Sequence, residues 1–165
     1  MKQVILTLVI MTLFCKAFTQ KLIPRPEFSD LVYFWNETEN TLLALSKENP
    51  QLIGGHNASY VFSGLNSSTE LQKNGELSFI VNSTNPMMIS SAKLYKMEIN
   101  NKNKNRSVVI ALARFGKADL NAENSIEYNV KKVEDGSIMI VPSESLNSGE
   151  YVFIAGGHYF TFTVE

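Results

Sequence analysis

Residues 138–164 read IMIVPSESLNSGEYVFIAGGHYFTFTV, and this stretch decides the fold class. Three runs rich in β-branched and aromatic residues are separated by turn-forming residues. The last run alternates strictly, with Phe160, Phe162 and Val164 on one face of a strand and Tyr159, Thr161 and Thr163 on the other. The pair Gly156-Gly157 supplies the positive φ that a tight hairpin needs. A β-meander with an aromatic inner face follows, and it requires earlier strands to pack against.

Those strands are legible upstream. Leu31 to Trp35 predicts a first strand with Tyr33 and Trp35 on one face. After a polar turn over residues 36–40, Thr41 to Leu45 predicts a second strand pairing back on it. A short helix from Leu42 to Glu48 is the alternative there, stopped by Pro50. Further strands are expected over Ser59–Ser63, Glu76–Val81, Ala92–Ile99 and Val108–Arg114, and around Ile126, Tyr128 and Val130. The Ala92–Ile99 run alternates as a sheet with one wet side would. Asn74-Gly75 is the strongest two-residue hairpin signal, and residues 115–125 read as an irregular connection. About ten short strands with frequent turn signals predict an all-β chain folded as a single, immunoglobulin-like β-sandwich. Its expected extent is residues 31–165, after an extended lead-in over 20–30 that carries Pro24 and Pro26.

The N-terminus predicts export. Lys2 is followed by the apolar run Val4 to Phe14, and Ala17-Phe18-Thr19 fits a cleavage site, so residues 1–19 read as a signal peptide. The run is shorter than the roughly twenty residues a spanning helix needs. Cys15 would be a lipid attachment point in a lipoprotein, but such signals place a small residue before the cysteine and here it is Phe14. With the signal removed, the chain keeps no cysteine, so its stability must come from its core. It also keeps 13 basic against 16 acidic residues, a balance that gives no reason to expect nucleic acid or an anionic membrane as partner.

Candidates for chemistry are few. His56 and His158 each follow a Gly-Gly pair in a turn, where solvated loop residues are the simple expectation. They would form a metal site only if their loops met and carboxylates completed the shell. Asp119, Asn121 and Glu123 place oxygen ligands at alternate positions, without the glycine and bidentate acid of a calcium loop. No Gly-x-Ser-x-Gly motif is present, and no carboxylate pair stands out. No cofactor is implied. Among the aromatics, Trp35 and Tyr159 are the candidates for an exposed platform that binds a ligand such as a sugar ring, with core packing as the alternative. The five Asn-x-Ser/Thr sites at Asn36, Asn57, Asn66, Asn82 and Asn105 read as chance in an Asn-rich chain.

Several stretches carry a resemblance. They are Lys16 to Gln20 at the end of the signal, Tyr60 to Gly64, Leu77 to Val81, Lys93 to Met97 before the Asn/Lys-rich tip and Arg106, and Leu146 to Phe153. Together they resemble a group of uncharacterised exported proteins of Bacteroidetes-type bacteria, in which Pro or Ala usually stands where Ser148 stands here. The resemblance implies a β-sandwich in the envelope or secretome and brings no catalytic residues. The expected function is a non-catalytic binding or structural module, periplasmic or secreted, with a protein or glycan partner. The alternative is a small metal-dependent or glycan-acting hydrolase using His56 and His158.

Overall fold

The computed structural model describes residues 22–54, 57–73, 75–114, 117–120, 125–133 and 136–165, and within 111–120 it describes the backbone alone. The chain is all-β, with sixteen strands among these residues and one helical turn. In chain order the strands are β1 (Leu31–Asn36), β2 (Thr41–Ala44), β3 (Ser46–Glu48), β4 (Gln51–Ile53), β5 (Asn57–Ser63), β6 (Glu70–Leu71), β7 (Ser78–Asn82) and β8 (Lys93–Lys96). They continue with β9 (Glu98–Asn100), β10 (Asn105–Arg114), β11 (Lys117–Leu120), β12 (Ser125–Ile126), β13 (Tyr128–Lys132), β14 (Ile138–Pro142), β15 (Gly149–Ala155) and β16 (His158–Val164). The excess over ten arises because several apolar runs are shared between sheets. Residues 41–53 form β2, β3 and β4, each in a different sheet.

Three open sheets result. The front sheet has the order β13-β14-β7-β1-β2, the middle sheet β12-β8-β15-β16-β3 with β6 also on β16, and the back sheet β11-β10-β5-β4 with β9 on β10. All pairings are antiparallel except β6 with β16. The expected hairpin at Gly156-Gly157 joins β15 to β16, with Ala155 opposite His158 and both glycines at positive φ. Gly156 is also a close approach: a Cβ there would lie 3.2 Å from Cα of Met88.

The middle sheet is buried on both faces. Toward the front sheet, Tyr151, Phe153, Phe160, Phe162 and Val164 pack with Val32, Phe79, Val81, Ile138 and Ile140. Phe79 is the hub, 4.9 Å from the Phe153 ring and 5.0 Å from that of Phe162. Burying each such ring contributes about 1.5–3 kcal/mol. Toward the back sheet, Tyr95, Met97 and Val152 meet Phe62 and Val108. The one wet side expected of the Ala92–Ile99 run is therefore corrected: Leu94 and Tyr95 point to opposite faces and both are buried. At Met97 the chain leaves the middle sheet as β8 and joins the back sheet as β9.

Two further expectations change. Asn74 lies outside the described residues, but the segments flanking Asn74-Gly75 do not pair: β6 adds to β16 and β7 to β1 and β14. Residues 115–125 are not wholly irregular, since β11 pairs with β10. A helical turn, α1 (Pro86–Ser90), occupies the break after β7. Asn85 caps it by accepting from the Met87 N–H at 3.0 Å, and Pro86 stands at its first turn. The residues of the expected signal peptide lie outside the described residues, and among those described no helix is long and apolar enough to cross a membrane.

Candidate functional site

The two aromatic candidates lie on different surfaces and form no common platform. Trp35 projects from β1 onto the outer face of the front sheet, beside Tyr33 and Ile80, with Ile23 of the lead-in packed over the cluster. Only 9% of Trp35 is accessible. Its indole N–H donates to Asn40 Oδ1 at 3.3 Å, and Asn40 Nδ2 donates to the Leu22 carbonyl at 3.2 Å. Tyr33 fastens the other end of the lead-in through Phe28. Two prolines keep residues 22–26 out of a sheet ladder, so side chains of the covered face hold them instead.

Tyr159 lies between the middle and back sheets, half-buried, its ring 4.6 Å from Tyr60 and 6.1 Å from Phe62. Burial, reinforced by a hydrogen bond to Tyr60, pushes its hydroxyl up to about 12. Tyr159 thus packs among the framework, while Trp35 does so and also lines a cleft at the end of the front sheet. His158 opens β16 with its ring edge-on to Phe160. His56, Asn121 and Glu123 lie outside the described residues, as does the side chain of Asp119. Among the described residues no three acidic, His or Cys side chains gather as a metal shell would require.

The sequence did not single out the densest polar cluster. Arg106 projects from β10 into the gap between the middle and back sheets and is only 1% accessible. Its Nη1 donates to Glu150 Oε2 at 3.1 Å, and its Nη2 donates to Glu48 Oε1 and Oε2 at 3.0 and 2.8 Å. Nε and Nη2 also donate to the carbonyls of Gly64 at 3.3 Å and Ser63 at 3.1 Å. Glu150, 2% accessible, accepts from the Ser67 N–H at 2.9 Å and from Thr163 Oγ1 at 2.6 Å. Thr161 donates to Glu48. The polar face of β16 is therefore buried, its Thr161 and Thr163 donating to the two carboxylates that receive the guanidinium. Every donor and acceptor used here is spent on framework, which ties β3, β15 and β16 to β10 and the turn after β5.

A cleft of about 730 Å³ opens where the front and middle sheets end at β2 and β6. Its floor is Phe34, Leu43, Leu71 and Leu77, and Glu37, Glu39, Glu70 and Glu76 line its rim. A second hollow of about 360 Å³ lies beyond Gly75–Leu77 and is lined by Lys73, Glu144 and Leu146 among others. The rim glutamates stand in unrelated turns and strand ends, so only the fold collects them. Comparison with family models, with curated proteins and with solved structures gives no match.

Proposed function

We propose that the exported chain is a non-catalytic binding module on an immunoglobulin-like sandwich, with a protein or glycan as partner. The supporting observation is the placement of five of the eight large apolar side chains exposed among the described residues. Leu43, Leu52, Ile53, Ile99 and Val130 lie on β2, β4, β9 and β13, each of which pairs on one side only among the described strands. Apolar residues on open strand edges are suited to pairing with another chain. Among the described residues the two buried charged side chains, Arg106 and Glu150, are by contrast occupied as framework. Favouring the immunoglobulin-like type is Tyr151, whose hydroxyl donates to the Asn147 carbonyl 2.6 Å away, four residues upstream, as in a tyrosine corner.

The test is a thermal-shift screen of the chain from Gln20 against glycans and divalent metals, joined to cross-linking with exported proteins. A saturating ligand at a hundred times its Kd should stabilise the fold by about 2.7 kcal/mol. A stabilising glycan or a discrete cross-linked partner, without turnover, is the expected result. Hydrolysis of a glycan, ester or peptide substrate, lost together with a zinc-induced shift in His56→Ala/His158→Ala, would replace the binding module with an enzyme.

A further inference from the structure

The cleft between β2 and β6 has the construction of a site for an extended chain. β2 ends the front sheet, and β6 is a two-residue strand paired only with β16 among the described strands. An open edge of each sheet therefore borders the same hollow. The floor between them is apolar, and Leu43 is 48% exposed on it. Four glutamates line the hollow, and its described lining includes no lysine, arginine or histidine. A peptide that adds to a strand edge hydrogen-bonds through its backbone and turns alternate side chains to opposite sides. Apolar side chains on such a peptide would meet the floor, and cationic ones would meet the rim.

We propose that this cleft binds an extended segment of a partner protein in which basic and apolar residues alternate, added as a strand to β2. The proposal rests on the binding-module reading and names its partner. Charge complementarity selects the basic segment over an acidic one. It also makes the association sensitive to salt, because the rim is solvent-exposed and lies within a Debye length of the bound chain. The apolar floor accounts for binding that persists at high salt.

Two labelled octapeptides test this by fluorescence anisotropy on the chain from Gln20: one alternating Lys and Val, the other alternating Glu and Val. The Lys/Val peptide should bind at least tenfold more tightly. Glu70→Gln/Glu76→Gln should weaken it about tenfold, and Leu43→Arg should abolish binding. An unchanged urea midpoint shows that the variants still fold. Equal binding of the two peptides, no binding of either, or Lys/Val binding indifferent to all three substitutions overturns the cleft assignment. Cross-linking that still finds a partner, unaffected by the cleft variants, would then preserve the binding module while refuting this site. Loss of both results would refute the two together.

Discussion

Replacing Arg106 by Met measures what the buried polar layer contributes. The substitution removes five hydrogen bonds, to Glu150 Oε2, both Glu48 oxygens and the carbonyls of Gly64 and Ser63. Glu150 stays behind, 2% accessible, with only neutral donors from Ser67 and Thr163. An ion pair lost from a buried site by deletion of one partner costs about 3–5 kcal/mol, because the remaining charge is uncompensated. That is a large share of the roughly 5–15 kcal/mol a domain has in total. In urea unfolding at neutral pH, the midpoint should fall by more than about 1 M with unchanged slope, given slopes of about 1–3 kcal/mol/M. Adding Glu150→Gln to Arg106→Met should recover at least about 1 kcal/mol, since it removes the stranded charge. A loss below about 1 kcal/mol, as for a pair in water, would refute the argument. So would a double variant whose cost is the sum of the single ones.

Gly156→Ala should cost about 1–3 kcal/mol in the same assay, because φ is +57° and the new Cβ would stand 3.2 Å from Met88. Gly157→Ala, at positive φ but with nothing within 4 Å, should cost less; equal costs would remove the role of the α1 contact. Phe79→Ala should lose about 3–5 kcal/mol, as expected for the central ring of the core, and a near-neutral result would contradict that position. Tyr159 ionises above the ordinary value near 10, so its contribution is complete below that pH and is lost as pH rises through about 12. Burial also raises Tyr95, Tyr128 and Tyr151, so a tyrosinate absorbance titration should show a late component that loses one tyrosine's amplitude near pH 12 in Tyr159→Phe, and an unchanged late component would exclude it. A chain shortened to begin at Ser29 should shift the emission of its single tryptophan, Trp35, to the red; unchanged emission would show that the lead-in does not cover it.

Local signals in the sequence found the elements, and long-range pairing decided what surrounds them. The alternation of Phe160, Phe162 and Val164 and the Gly156-Gly157 turn depend on neighbours within a few residues, and both survive in the structure. Asn74-Gly75 is as strong a signal, yet its flanking segments enter different sheets, β6 beside β16 and β7 between β1 and β14, where Leu71 and Phe79 share one core from opposite layers. The third sheet was hidden for a related reason. Glu150, Thr161 and Thr163 look like the wet side of a strand until Arg106, 44 residues before Glu150, pairs with Glu150 and Ser67 closes over the two threonines. No periodicity separates a polar face meant for water from one meant for a guanidinium, since both alternate at the same spacing. The cleft is less legible still. Glu37, Glu39, Glu70 and Glu76 become neighbours only when β6 leaves its expected partner for β16, which brings Glu70, Leu71, Gln72, Gly75, Glu76 and Leu77 to one cleft with the turn after β1. The departure from the hairpin signal and the assembly of the candidate site are thus one structural event.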